Sequence, residues 1–191
     1  VLTKRDNAII RFVEDFGAAS RSQIERLFFT GQKYQRIIAN RRLREIVNQT
    51  DYVKRSKEPY TGQYIYHLAG LKQLQHRLLR TEFYLRLKEQ GGLIKTFACE
   101  YAVEGLRADA FCIYEINHKR YYFALEVQNE RNYPNIGKYI VLHDAEAWPW
   151  KVFPRVVIIT DRKVEVKTEF AVIILDTSLK EFENIFKTPA R

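Results

Sequence analysis

The apolar residues of this chain change period at Gly91-Gly92, and that switch limits what the two halves can build. Before it, helical spacing dominates. Thr3 caps a first helix with Asp6 at the third helical position, and Ala8, Ile9, Phe12, Val13 and Phe16 recur at helical intervals until Gly17 stops it. Ser20 and Gln23 form a second capping box, opening a short helix with Ile24, Leu27 and Phe28 on one face. After the turn at Thr30-Gly31, a longer helix over residues 32–48 has Ala39, Leu43, Ile46 and Val47 as its buried stripe. Residues 52–55 and 63–68, joined by a turn over 57–62, read as a β-hairpin.

Three helices and a hairpin in that order are the layout of a winged helix-turn-helix, expected over residues 1–70. The third helix carries Lys33, Arg36, Asn40, Arg41 and Arg44 away from its apolar stripe. Arg36, Asn40 and Arg44 recur at every fourth residue and so share a face. Arg and Asn suit guanine and adenine edges in a major groove, while Lys54, Arg55 and Lys57 on the hairpin suit flanking phosphates. Charge agrees with this division. Residues 1–75 carry 14 Lys and Arg against 7 Asp and Glu, whereas residues 76–191 carry 18 against 16. A net charge of +9 favours a polyanionic partner, because cations bound to phosphate release counterions. The expected partner is double-stranded DNA rather than a membrane, since no run reaches the ~18 apolar residues of a span. No signal peptide is expected at the start, and the chain reads as cytoplasmic.

Ala69-Gly70 marks a hinge, and a helix over 71–90 follows. Beyond Gly92, residues 93–101, 108–116 and 121–128 are rich in aromatic and β-branched types, with Asn117-His118-Lys119 as a tight turn. A helix over 135–146, strands over 155–160 and 170–175, and a closing helix over 178–186 complete a mixed sheet flanked by helices. The expected fold class is α+β, with an α/β domain over 71–191. Cys99 and Cys112 lie in apolar runs without metal-finger spacing and read as reduced core residues.

The register set by the turn at His118 places Asp109 opposite Glu126. Two carboxylates so close repel unless a cation joins them. Mg²⁺ or Mn²⁺ suits such a pair, taking one or two carboxylates and leaving positions for water and phosphate. Glu100 and Glu82 are candidate third ligands. The bland alternative is a surface ion-pair network with Arg107, Lys95 or Arg131.

Arg107-Ala108-Asp109, a hairpin, and Glu126-Val127-Gln128 resemble the core of the PD-(D/E)XK nuclease superfamily. A basic winged helix joined to such a domain is similar to the replication-relaxation family of plasmid, phage and integrative-element proteins. His76, Glu82-Phe83-Tyr84 on the linking helix and Lys138-Tyr139 after the acidic motif carry that likeness. The resemblance implies a nuclease-like domain with Asp109, Glu126, Gln128 and Lys138 at its centre and a metal at the acids. It also implies a role in replication, transfer initiation or transcriptional control of a bacterial mobile element. One departure matters: Gln128 stands where the superfamily has Lys. An amide supplies no positive charge, and losing an electrostatic stabiliser costs about two or three powers of ten in rate. Lys138 is the candidate substitute.

The expected function is therefore sequence-recognising DNA binding with a degenerate nuclease-like domain, acting as a homodimer because a single winged helix reads only a short site. One rival is an active Mg²⁺-dependent endonuclease. The other is an interaction module whose aromatic face around Trp148 and Trp150 holds a replication or transfer protein.

Overall fold

Both capping boxes close, and they phase the first two helices. In α1 (Lys4–Phe16) the Asp6 carboxylate accepts the Thr3 N–H at 2.6 Å while Thr3 Oγ1 accepts the Asp6 N–H at 3.3 Å. Gly17 ends the helix with φ +78°, where a Cβ would stand 2.7 Å from the Arg77 guanidinium. Strand β1 (Ala18–Ser20) follows, and Ser20 caps α2 (Arg21–Phe28) through Gln23. Three residues show no period, so β1 was not visible in the sequence. Next come α3 (Gln35–Gln49), β2 (Val53–Lys57) and β3 (Tyr64–Leu68), the strands forming an antiparallel sheet in the order β1-β3-β2. Helix α3 starts later than its pattern suggests, behind Tyr34 at φ +64°.

This computed structural model describes residues 1–58, 61–128 and 136–187. Residues 59–60 of the expected hairpin turn lie outside the described residues. The chain divides into two units, Val1–Leu85 and Arg86–Arg191. This division falls inside α4 (Leu74–Glu89). Polar side chains on the first part of α4 explain why. Arg80, with no exposed surface, donates to the Phe16 carbonyl at 2.7 Å, and Thr81 donates to the Ala18 carbonyl at 2.8 Å. Both oxygens of the Glu82 carboxylate accept from Arg26 Nη1, at 2.8 and 2.9 Å. These bonds satisfy backbone and side-chain groups that burial would otherwise leave unmet.

In the second unit β4 (Leu93–Val103), β5 (Leu106–Ile116) and β6 (Lys119–Val127) are antiparallel neighbours. The chain then passes through α5 (Ile136–Asp144) to β7 (Arg155–Ile159), which pairs parallel to β6, and on to β8 (Val172–Leu175) at the far edge. The five strands lie in the order β4-β5-β6-β7-β8, a mixed sheet. Tyr139 and Leu142 of α5, with Trp148, form a core against Phe111, Val156 and Ile158. On other strand positions, Phe186 meets Tyr114, Tyr121 and Phe123 at 5.7, 5.2 and 6.1 Å between centroids. The β5–β6 turn has Asn117 and His118 at φ +50° and +59°, the positive pair a two-residue hairpin requires. Gly92 allows a close approach, since a Cβ there would stand 2.5 Å from the Glu115 carbonyl oxygen.

The closing helix is shorter than its apolar spacing implies. Only a 3₁₀ turn, Phe182–Phe186, forms. Asp176 captures the Ser178 hydroxyl at 2.6 Å, and Leu179 takes φ +52°, which breaks helical continuity. Trp148 is a core residue at 8 % exposure, and Trp150 is exposed but stacked on Phe111 and bonded to the Tyr101 hydroxyl at 3.1 Å. Cys112 is buried, with its thiol pushed up to about 12 by desolvation, and Cys99 is half-buried. Among the described residues, no helix is long and apolar enough to cross a membrane.

Candidate functional site

Two surfaces carry the residues that the sequence singled out, one in each unit. In the first, Ala39, Leu43 and Ile46 bury one face of α3. Arg36, Asn40, Arg41 and Arg44 are all exposed on the remainder, and Lys33 is exposed in the preceding turn. The one arginine of the helix that the apolar pattern left unassigned is structural. Arg42 Nε meets Asp6 Oδ1 at 3.1 Å, and its other nitrogen also bonds that carboxylate, fastening α3 to the start of α1. Burial pushes the Asp6 carboxyl up, but hydrogen bonds from Arg42 and Thr3 outweigh it and hold the group at about 2.

Lys54, Arg55 and Lys57 are exposed on β2. The Arg55 guanidinium lies 4.3 Å from the centre of the Tyr64 ring on β3, and Lys57 Nζ lies 5.8 Å from it. Such cation–ring contacts orient a charge without neutralising it. Ion pairs of the first unit include Arg21 with Glu25, Arg26 with Glu82, and Arg42 with Asp6. Among the described residues, none of Lys33, Arg36, Arg41, Arg44, Lys54, Arg55 or Lys57 is in an ion pair. Their charge is therefore available to an external anion.

The second surface lies where the β5–β6 ladder ends. Its pairs run from Ile116 with Lys119 to Ala110 with Leu125, the register that a turn at residues 117–118 sets. Asp109 and Glu126 are the next residues out on either strand. There a side chain takes over from the backbone ladder, and Asp109 Oδ2 accepts the Val127 N–H at 2.6 Å. Glu126 is 3 % exposed, and its Oε1 accepts the Tyr139 hydroxyl at 2.7 Å. Burial raises the Glu126 pKa to about 7; the Tyr139 hydrogen bond and the Lys138 charge oppose the rise, and the Asp109 charge adds to it. Tyr139, itself without exposed surface, is pushed far up by burial and by the Glu126 charge.

The remaining candidates are spread around this pair. Gln128 is half-buried and donates its backbone N–H to the Ile159 carbonyl at 2.9 Å. Lys138 is exposed on α5, with Nζ 3.2 Å from the Gly105 carbonyl. Glu100, at φ +55°, pairs with Arg107 at 3.1 Å, and Lys95 pairs with Glu115 at 3.6 Å. Glu82 belongs to the first unit, where Arg26 and Gln23 hold its carboxylate. Arg131 lies outside the described residues. Among the described residues, no group of three or more His, Cys, Asp or Glu is gathered that could hold a metal ion. Asp109 and Glu126 alone still fit Mg²⁺ or Mn²⁺ by donor type, because these ions fill their other positions with water and phosphate.

Tyr139 is the member of this site that residue spacing alone did not assign. Its neighbour Lys138 drew attention as a cation, yet the buried hydroxyl is what reaches the acid. No family model, no curated protein and no solved structure matches the chain.

Proposed function

We propose that this chain is a sequence-recognising, double-stranded-DNA-binding protein of a bacterial mobile element. It acts in replication, transfer initiation or transcriptional control, as a homodimer, with a second unit that is a degenerate nuclease-like domain. The observation that carries the reading is the set of exposed cations on α3 and β2 that, among the described residues, are in no ion pair. The element order α1-β1-α2-α3-β2-β3 and the strand order β1-β3-β2 support a winged helix, with α3 as the helix that enters the major groove and the β2–β3 hairpin as the wing. The link to a mobile element rests on the resemblance described above. Arg36, Asn40 and Arg44 then meet base edges and backbone, and Lys54, Arg55 and Lys57 meet flanking phosphates.

A second reading is a Mg²⁺-dependent endonuclease, favoured by the placement of Asp109 and Glu126 at the end of one strand pair. A bound metal would supply a Lewis acid and a water of lowered pKa. Asp109 and Glu126 would hold it, Tyr139 would fix the Glu126 carboxyl, and Gln128 would orient a water by hydrogen bonding alone. The missing positive charge at Gln128 favours the degenerate form over this one.

One experiment addresses both readings. Full-length wild type, Glu126→Ala and the double variant Arg36→Ala with Arg41→Ala are incubated with supercoiled plasmid in Mg²⁺, Mn²⁺ or EDTA. A gel shift that ignores metal and Glu126, is lost in the double variant, and occurs without nicking is the expected result. Metal-dependent nicking by wild type and not by Glu126→Ala would make the chain an endonuclease. A shift retained by the double variant would overturn the assignment of α3.

A further inference from the structure

Helix α3 presents one branched apolar side chain to solvent in the middle of its cationic face. Ile37 is 68 % exposed, while the helix buries Ala39, Leu43 and Ile46. At about 100° per residue, Arg36, Asn40, Arg44, Ile37 and Arg41 follow one another around the helix. Ile37 thus lies between Arg44 and Arg41, within the polar arc and away from the core stripe. Elsewhere on a surface an isolated exposed isoleucine needs no explanation. Here it shares an arc with side chains suited to base edges, and it sits in the first turn of α3. The first turn is the part of a major-groove helix that reaches bases most directly.

The major groove offers one apolar group that distinguishes a base, the C5 methyl of thymine. A β-branched side chain on a helix is held close to a single rotamer, so ordering Ile37 against that methyl costs little entropy. We infer that Ile37 reads the 5-methyl group of a thymine in the major groove, so that the preferred duplex of this chain contains a favoured thymine beside the bases met by Arg36 and Asn40. This inference rests on the DNA-recognition reading above and adds to it the chemistry of one base position.

The test starts from a random-sequence duplex pool, from which the full-length chain selects its preferred site. Binding is then measured on that duplex with each thymine replaced singly by deoxyuridine, for wild type, Ile37→Val and Ile37→Ala. One thymine is expected to matter, its replacement weakening wild type by about fourfold, the effect of removing one buried methyl-sized group. Ile37→Val should keep that discrimination, and Ile37→Ala should bind thymine and deoxyuridine duplexes equally. Equal discrimination in wild type and Ile37→Ala would overturn the inference while leaving DNA recognition standing. So would a loss in Ile37→Ala that is the same on both duplexes with a change in oligomeric state. Selection of no preferred duplex, with binding insensitive to Arg36→Ala and Arg41→Ala, would instead remove the DNA-recognition reading and this inference with it. Since Ile37 is exposed, the variants are expected to melt with wild type, which separates recognition from folding.

Discussion

Because Glu126 is 3 % exposed and accepts a hydrogen bond from the neutral Tyr139 hydroxyl, removing its proton leaves a charge in largely apolar surroundings. Its folded pKa of about 7 exceeds the ordinary 4.5, so the folded chain binds that proton more tightly than the unfolded one. Linkage fixes the sign. Stability from this group is full below about pH 4.5, falls as pH rises through 7, and is flat above it. Glu126→Gln keeps an acceptor for Tyr139 and removes the titration. The variant is expected to match wild type at acid pH and to exceed it at pH 8 by on the order of 2 kcal/mol in denaturant unfolding. Mg²⁺ gives a second reading of the same residue. If Asp109 and Glu126 take the ion, wild type at pH 8 gains stability on its addition and Glu126→Gln gains less; the degenerate form predicts no gain in either. Asp6 is the contrasting acid. It too is buried, yet Arg42 and Thr3 hold it charged, so it stabilises α1 and α3 where Glu126 opposes its own ionisation.

At the scale of elements, the proposed DNA reading gives base edges to α3 and the backbone to the β2–β3 hairpin, and salt would separate the two roles. Each phosphate neutralised contributes about 0.9 to the slope of log affinity against log salt. Lys57→Ala is expected to weaken binding to every duplex alike and to lower that slope by about 1, whereas Asn40→Ala should leave the slope unchanged and relax preference at one base. Anisotropy titrations over a range of salt on preferred and scrambled duplexes check both, and an unchanged slope in Lys57→Ala would exclude Lys57 from the phosphates. Most of these elements were legible from residue patterns. Thr3 with Asp6 and Ser20 with Gln23 marked two helix starts through local bonds that the fold retains. Asn117 and His118 marked the hairpin, which set the β5–β6 register. What periodicity does not carry stayed hidden: β1 is too short to show alternation, and the closing helix yields to the side chain of Asp176. In the acidic site, Asp109 and Glu126 were legible because the register is local. Tyr139 was not assigned, since its approach to Glu126 depends on how α5 packs on the sheet.

For the whole molecule, the position of the unit boundary decides which fragment can stand alone. A chain cut at residue 70 loses the α4 side chains that bond the Phe16 and Ala18 carbonyls and the carboxylate that meets Arg26. Arg80 and Thr81 are fully buried, so their removal exposes apolar surface and leaves two carbonyls without these donors. A fragment of residues 1–91 keeps all three contacts and ends after Gly91. It is expected to unfold cooperatively, while a fragment of residues 1–70 melts at lower temperature or with no clear transition, as read by circular dichroism. Fragment 1–91 and a second fragment of residues 86–191 test the division of labour. Residues 1–75 hold 14 of the cations against 7 acids, and the nearly even balance of the remainder, 18 against 16, supplies little counterion release. Fragment 1–91 should therefore reproduce the salt slope of the full chain, and residues 86–191 alone should show almost none. If the second unit supplies the homodimer contact, the fragment will keep the slope per protomer but lose the cooperativity of two half-sites, because binding then pairs one winged helix at a time with its site. A steep salt slope in residues 86–191 would place the DNA surface on the sheet side of the boundary and overturn the assignment to α3.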